Sequence, residues 1–362
     1  MQILTNPFRG SGLAAAAGEA QEIPSTNNAR VSVLLGRCPR AHFTPLDAPH
    51  ELAERAGVEC VFVKDERTRM GLGSFKALGA AYVIAREAEV RAGGRLEVPG
   101  NALEGQTYVA ASAGNHGLSV AAGAAVFGAR AVIYLADTVP EAFAERLRAK
   151  GADVVREGAD YEASVNAAGK AANDNGWTLI SDSSWPGYTE IPFLIMEGYL
   201  AMADEAAAQV DSIGTAPTHI FLQAGVGGLA AAGAAHARKV WGDDPVIVVV
   251  EPEAAPALHA SIRAGRPVHA DGPVSSMGRL DCKEPSIVAL AGLSRDADYF
   301  ALISDDEAKS ALPFLADVEL ESSPSGAAGI AALLAMDDNT KNRLGIDAHS
   351  RVLCYLSEGP EG

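Results

Sequence analysis

Residues 107–127 read TYVAASAGNHGLSVAAGAAVF, and this stretch decides the fold because it joins a strand, a tight loop and a helix. Its first residues, 107–110, are apolar, aromatic or β-branched and predict a buried strand. The small and polar loop residues follow, and residues 118–127 then have the composition of a packed helix. The free N–H groups of such a helix point into the preceding loop, so this junction can receive a carboxylate.

The alternation of strand and helix continues along the chain. Pro140 occupies a favoured first position of a helix and Gly151 a favoured stop. Short loops between alternating elements indicate parallel strands joined by right-handed crossovers. The pattern predicts helices over 140–150 and 160–173, and strands over 107–111, 131–135, 153–156, 177–181, 218–222, 246–251, 299–303 and 352–356.

This pattern predicts an α/β fold with two open, mostly parallel sheets. A large domain is expected from residues 1–78 and 191–362, with a small α/β domain, 79–190, inserted within it. Two further segments are rich in Ala and Gly. Residues 224–237 are expected to form a helix between close layers, and residues 12–17 a flexible or loosely packed entry segment.

Charge and composition limit the possible partners. The 362-residue chain has a formal net charge of −17, which phosphate backbones and anionic lipid surfaces repel, so we expect neither nucleic acid nor a membrane as partner. No secretory pattern opens the sequence and no apolar run is long enough to span a bilayer, which predicts a cytoplasmic protein. Cys38, Cys60, Cys282 and Cys354 lack metal-ligand spacing, so we expect free thiols and no metal site.

Lys76 is the most informative single residue. It follows a Gly-Leu-Gly-Ser-Phe loop, residues 71–75, and precedes a helix of small residues. Burial and the positive end of the helix dipole both disfavour an ammonium there, so we expect a neutral, nucleophilic amine. Such an amine forms Schiff bases with carbonyl cofactors, of which pyridoxal phosphate is the usual one.

A second loop has the composition of a phosphate site. Gly225, Val226, Gly227 and Gly228 lie between a predicted strand and an Ala-rich helix, where glycines let backbone N–H groups close around a phosphate. A loop of this kind is not specific, because dinucleotide sites, flavin sites and ordinary tight turns also use one. The combination is more specific, because the glycine loop follows both Lys76 and the loop around Asn115, residues 111–117, which we call the asparagine loop.

The lysine, the asparagine loop and the glycine loop, in this order, resemble the fold-type II pyridoxal-phosphate enzymes, the threonine dehydratase and tryptophan synthase β group. Further segments spread over nearly the whole chain resemble the diaminopropionate ammonia-lyase family. These are Lys64–Glu66 with Arg69–Leu72, Asp182–Tyr188, Ile195–Tyr199, Pro217–Gly227 and Met277–Pro285.

The resemblance implies a residue for each contact with pyridoxal 5'-phosphate. Lys76 would form the Schiff base and later release product, and the loop Gly225–Gly228 would hold the phosphate. Asn115 would contact the ring 3-hydroxyl and Ser357 would face the ring nitrogen. A serine hydroxyl is too weak an acid to protonate the ring, which favours departure of a β-substituent. The alternative for Ser357 is a purely structural role, in which its hydroxyl bonds only to backbone groups.

The resemblance also implies a substrate site and a β-elimination. Asp182 matches one of two family aspartates that take the α-proton from opposite faces, although an Asp before Ser-Ser is also ordinary turn chemistry. The implied substrate is a small L-amino acid, first of all 2,3-diaminopropionate, giving pyruvate and ammonia. The family also implies a homodimer. The substrate carboxylate would bind at Ser112, Ala113, Gly114, Asn115 and His116, with His116 in a structural role.

Two positions depart from the family pattern. The second aspartate is replaced by Ala113, which puts activity on D-isomers in doubt and resembles serine and threonine dehydratases. Ser323 stands where an acidic residue is expected, which removes a negative charge near a β-ammonium group. Two other functions therefore stay open: a dehydratase of a β-hydroxy amino acid such as threonine, serine, 3-hydroxyaspartate or a phenylserine, and a non-catalytic ligand-binding protein with the same fold.

Overall fold

The computed structural model describes residues 1–20, 23–95 and 97–360. Its strands are β1 (Gln2–Thr5), β2 (Leu46–Asp47), β3 (Cys60–Asp65), β4 (Thr107–Ala111), β5 (Arg130–Leu135), β6 (Asp153–Arg156), β7 (Thr178–Leu179), β8 (His219–Gln223), β9 (Val246–Pro252), β10 (Tyr299–Ile303) and β11 (Arg351–Leu356).

The strands form two sheets, as the sequence predicts. The larger sheet has the order β1-β10-β9-β8-β11-β3-β2, and only its edge strands β1 and β2 pair antiparallel. The smaller sheet has the order β6-β5-β4-β7 and is parallel throughout. Central strands such as β9 are nearly continuous runs of buried apolar residues, because helices cover both faces of a parallel sheet. The α/β prediction is confirmed, and the boundaries of the two domains stay a prediction.

Helices connect and cover the strands, and Arg69–Gly71 adds a short 3₁₀ turn. The helices are α1 (Ala14–Ala20), α2 (Ala29–Leu35), α3 (His50–Ala56), α4 (Lys76–Arg91), α5 (Asn115–Val126), α6 (Glu141–Arg148), α7 (Tyr161–Asn175), α8 (Glu190–Ile213), α9 (Gly228–Trp241), α10 (Ala257–Ala264), α11 (Ile287–Asp296), α12 (Asp305–Asp317), α13 (Ala328–Leu334) and α14 (Asp338–Leu344). Among the described residues, no helix is long and apolar enough to cross a membrane.

The expectation of a loosely packed segment at residues 12–17 is wrong. Helix α1 begins inside this segment and packs against α11, with Leu13 and Ala16 buried. The Leu13 N–H donates to Ser294 Oγ at 2.8 Å, which ties the start of the helix to α11. Alanine side chains permit this close approach of two helices, so here a small-residue composition reflects tight packing.

The contact between α4 and α8 fixes the position of Lys76. A Cβ at Gly79 would lie 2.7 Å from Ile195 Cγ2, and a Cβ at Gly198 would lie 2.8 Å from the Leu78 carbonyl oxygen. Larger side chains would separate the helices. The two glycines therefore bring the first turn of α4 against α8.

The loops that carry the expected chemistry follow the carboxyl ends of β4, β8 and β11. Strand β11 pairs with β8, so the loops after these two strands are neighbours. In open parallel sheets this end is where ligands bind.

Candidate active site

Lys76 and Asp182 form an ion pair between two segments far apart in sequence. Lys76 is the first residue of α4, Asp182 follows β7, and Lys76 Nζ donates to Asp182 Oδ2. The two side chains are 22 % and 21 % exposed, so the pair is partly accessible to solvent and is not sealed in the core.

This ion pair corrects the expectation of a neutral amine. Burial lowers the pKa of Lys76, but the negative charge of Asp182 outweighs burial and holds the pKa above its usual range. Burial likewise favours a protonated Asp182, yet Lys76 and His116 hold the pKa of this carboxyl below its usual range. Both groups are therefore charged in the cofactor-free protein. The sequence gives the helix position of Lys76 but not the carboxylate opposite it.

Two aromatic rings and one thiol lie near Lys76. Its Nζ lies 5.3 Å from the centre of the Phe75 ring and 6.0 Å from that of Tyr199. The Tyr199 hydroxyl is buried without a hydrogen-bond partner among the described residues, and burial raises its pKa to about 12. Burial and the nearby Asp182 also raise the pKa of the Cys282 thiol to about 12. The sequence reasoning assigned no role to Tyr199 or Cys282, although both lie in segments that carry the family resemblance.

The loop from β4 to α5 has the form that the sequence predicts. Asn115 is the first residue of α5, and a Cβ at Gly117 would overlap the Ser112 carbonyl oxygen, so this turn requires glycine. Ser112 Oγ accepts the Gly114 N–H at 3.3 Å. His116 is buried, and its Nε2 lies 2.9 Å from the Ile180 carbonyl oxygen. This contact fits the structural role expected for His116, since it fastens the loop to the segment that leads to Asp182.

The glycine loop between β8 and α9 fits a phosphate group. Gly227 has φ 103°, a left-handed conformation that favours glycine, and a Cβ there would lie 3.0 Å from Ala289 Cβ. A Cβ at Gly225 would lie 3.0 Å from Cys282 Sγ. Hydrogen bonds within the described residues leave the buried N–H groups of Gly225, Gly227 and Gly228 without an acceptor. Buried, unpaired N–H groups at a helix start are suited to an anion.

Ser357 lies beside the lysine loop. Its N–H donates to the Gly326 carbonyl at 3.1 Å, and its carbonyl accepts the Phe75 N–H at 3.1 Å. The hydroxyl makes no hydrogen bond to the described residues, so the structural alternative of a backbone-bonded hydroxyl is not what the structure has. The side chain is therefore available to a ligand next to Lys76.

Glu358 places a buried carboxylate beside Ser323, where we expected the loss of a negative charge. The Glu358 carboxylate is 7 % exposed and accepts hydrogen bonds from Ser323 Oγ and Asn115 Nδ2. Arg279 Nε donates to it at 3.0 Å. This carboxylate comes from the segment after β11, so position 323 itself still lacks the charge of an acidic residue, and the effect of Ser323 on a β-ammonium group stays a prediction. Glu358 also holds the side chain of Asn115.

These contacts bring several of the predicted site residues close to one another. Lys76 contacts Asp182, Asn115 is joined to Ser357 through the neighbouring Glu358, and the Gly228 Cβ position lies 3.4 Å from the Tyr199 ring. The sequence reasoning missed Glu358 and Arg279. Two sequence features could have pointed to them: Glu358 is a charged residue directly after Ser357, and Arg279 is an arginine inside the Met277–Pro285 segment.

Comparisons with known proteins agree with this arrangement. A sequence profile of the family described as "Pyridoxal-phosphate dependent enzyme" matches residues 39–358. The chain is 32 % identical over 337 residues to diaminopropionate ammonia-lyase of Escherichia coli (strain K12), covering 87 % of this chain and 84 % of the relative. It is 28 % identical over 317 residues to L-serine dehydratase/L-threonine deaminase of Mus musculus, covering 87 % and 85 %.

A solved structure matches almost the whole chain. The crystal structure of Escherichia coli diaminopropionate ammonia lyase in complex with an aminoacrylate-PLP azomethine reaction intermediate superposes with a TM-score of 0.88 at 28 % identity. The match covers 99 % of this chain and 93 % of that one.

Proposed function

Because this chain belongs to the pyridoxal-phosphate dependent enzyme family, and within it to the diaminopropionate ammonia-lyases, we propose that it is a lyase that removes a β-substituent from a small L-amino acid. The first candidate substrate is 2,3-diaminopropionate. One molecule of it with one of water gives pyruvate and two of ammonia. The observation that carries this proposal is the Lys76–Asp182 pair in a cleft between the asparagine and glycine loops.

Pyridoxal 5'-phosphate is the proposed cofactor, and when bound it supplies an electron sink for negative charge at the substrate α-carbon. Lys76 Nζ would hold its carbonyl carbon and the N–H groups of Gly225, Val226, Gly227 and Gly228 its phosphate. Asn115 and Ser357 would contact its ring. The unpaired glycine N–H groups and the free Ser357 hydroxyl support this fit.

Asp182 is the proposed base at the α-carbon. In the cofactor-free protein, Lys76 keeps the pKa of Asp182 low. Once the lysine nitrogen is engaged, Asp182 loses its ammonium partner, which is the main cause of its low pKa, so burial raises the pKa from that low value against the weaker effect of His116. A carboxylate with a higher pKa is a better base for the substrate α-proton. The engagement of Lys76 therefore activates the residue beside it.

The remaining residues bind and orient the substrate. The N–H groups of the loop Ser112–His116 are the proposed site of the substrate carboxylate, and they lie at the N-terminus of α5. We further propose that the small domain, residues 79–190, closes over the cleft to exclude water. A homodimer and a cytoplasmic location also remain proposals, which light scattering and cell fractionation test.

A substrate panel tests the function. The cofactor-loaded protein is assayed for ammonia and keto acid with L-2,3-diaminopropionate, L-serine, L-threonine and 3-hydroxy-L-aspartate. Two ammonia molecules per pyruvate from diaminopropionate support the proposal. Ala113 supports a second candidate, a dehydratase of β-hydroxy amino acids, which would release one ammonia per keto acid. Absence of keto acid from every amino acid would contradict both and favour a ligand-binding protein.

A further inference from the structure

Arg279 joins the three parts of the site. Its N–H donates to Ser325 Oγ at 3.1 Å, and its carbonyl oxygen lies 3.2 Å from the Cβ position of Gly225 in the glycine loop. Its Nη1 lies 3.6 Å from the Cβ position of Gly114 in the asparagine loop. The side chain is 31 % exposed, so the guanidinium is accessible where the substrate carboxylate is proposed to bind.

The guanidinium uses only one edge for protein contacts. Arg279 Nε donates to Glu358 at 3.0 Å, whereas Nη1 and Nη2 find no acceptor among the described residues. A guanidinium has five N–H donors, so four of them remain. The neighbouring Ala113 stands where the family pattern has an aspartate, and its methyl group cannot accept a hydrogen bond.

An arginine in this position favours a different substrate from a dication. The outer edge of a guanidinium matches a carboxylate through two parallel hydrogen bonds. A β-ammonium next to the same edge is repelled, because no aspartate at position 113 screens it. Glu358 balances the charge of Arg279 at Nε but does not cover the outer edge.

We propose that Arg279 is a specificity-determining residue whose outer N–H groups bind a second carboxylate, carried on the substrate β-carbon. This inference rests on the second candidate of the proposed function, the dehydratase of β-hydroxy amino acids, and names the substrate class of that site. The corresponding substrate is a β-hydroxy dicarboxylic amino acid, of which 3-hydroxyaspartate is the smallest.

The reaction balances without a further reactant. The α C–H bond and the β C–O bond break, and the proton and hydroxide leave as water. The resulting enamine of a four-carbon diacid takes up one water and releases ammonia and oxaloacetate. No oxidant or reductant takes part.

Three substrates with the same leaving group test the proposal in the cofactor-loaded wild-type protein. L-Serine, L-threonine and 3-hydroxy-L-aspartate, the last as both β-epimers, differ only in the β-hydrogen, methyl or carboxylate. A charge-assisted pair of hydrogen bonds predicts kcat/KM about 10-fold to 100-fold higher for one epimer of 3-hydroxyaspartate than for serine and threonine. Equal or lower kcat/KM for both epimers would overturn the proposal. Turnover of none of the three, nor of diaminopropionate, would instead overturn the proposed function.

Three variants distinguish direct recognition of the substrate by Arg279 from an indirect effect through Glu358. Arg279→Met should bring the ratio of kcat/KM for 3-hydroxyaspartate to kcat/KM for serine close to one, whatever it does to the two rates themselves, and Arg279→Lys should keep part of the preference. Ala113→Asp should lower kcat/KM for 3-hydroxyaspartate and raise it for diaminopropionate. An equal loss on serine and 3-hydroxyaspartate in Arg279→Met would show that the arginine acts only through Glu358, which contradicts the proposal.

A binding measurement gives a readout independent of turnover. Calorimetric titration compares succinate with butyrate, which have the same number of carbons and differ by one carboxylate. Wild-type holoenzyme should bind succinate about 10-fold or more tightly than butyrate, and Arg279→Met should bind the two alike. Equal binding by the wild type would overturn the proposal even if the variant fails to fold.

Discussion

Replacing Asp182 by Asn should lower the pKa of Lys76, so that the amine becomes neutral at a lower pH than in the wild-type protein. In the wild-type protein, burial lowers the pKa of Lys76 and the carboxylate of Asp182 raises it, with the carboxylate prevailing. The variant keeps the shape of the side chain and removes its charge. Burial and the positive end of α4 then act alone, and both disfavour the ammonium. The pKa of Lys76 should therefore fall from its raised value towards the ordinary lysine value of about 10.4.

The size of this shift follows from the ion pair. Two unit charges ~3 Å apart in a medium of effective dielectric constant ~20 attract each other by ~5 kcal/mol. One pKa unit corresponds to ~1.4 kcal/mol, so the upper limit for the loss is ~4 units. About a fifth of each side chain is exposed, and water screens part of the attraction. We expect the pKa of Lys76 to fall by ~2 to 4 units.

Competitive acetylation with acetic anhydride measures this change. Cofactor-free protein is labelled across a pH series, and mass spectrometry gives the labelling of Lys76 relative to the exposed Lys150. Asp174→Asn is the matched control, because Asp174 pairs with the exposed Lys170. Asp182→Asn should move the labelling midpoint of Lys76 to lower pH, and the control should not. An unchanged midpoint in Asp182→Asn would refute the reasoning.

Three other predictions follow from the structure. Gly227→Asp puts a side chain and a negative charge beside the unpaired N–H groups, so cofactor affinity measured by absorbance titration should fall well below that of Gly227→Ala; equal affinities would mean that the phosphate binds elsewhere. Asp182→Asn should lower kcat on the L-substrate by about 10²–10⁴-fold, and the wild type should prefer the L-isomer because Ala113 offers no second base; comparable wild-type rates on both isomers would defeat this. Burial raises the pKa of Glu251 to about 8, so its contribution to stability is full at acidic pH and is lost as the pH rises towards about 8. Urea unfolding should show a shallower pH slope in Glu251→Gln, and identical slopes would contradict it.

The sequence predicted the parts of the fold that local patterns determine. Strands β4, β6 and β10 begin and end at the predicted residues, because β4 and β10 are short apolar runs and β6 is a pair of valines that follows the helix stop at Gly151. Strand β3 was missed, although it lies inside the larger sheet, between β11 and β2. It carries Lys64, a residue rarely found in a buried strand. Its ammonium is fully buried and donates to Glu205 at 2.9 Å and to Gln209 at 2.8 Å.

Dependence on distant contacts also explains which features of the site the sequence did not reveal. Loops that follow strands and precede helices have a local signature, so Lys76, Asn115 and the glycine loop could be found in the sequence. The partners of these residues lie far away in the chain. Asp182 is 106 residues from Lys76, and Glu358 is 243 residues from Asn115. Charge state depends on such partners, which is why the position of Lys76 was predicted correctly and its protonation was not.

Borohydride reduction of the cofactor-loaded protein, followed by peptide mapping, tests the central claim most directly. The account predicts that the phosphopyridoxyl group is found on the peptide that contains Lys76, and that Lys76→Ala has no turnover while still binding some cofactor through the glycine loop. A reduced cofactor on any other lysine, or no covalent label in a protein that turns over substrate, would contradict it.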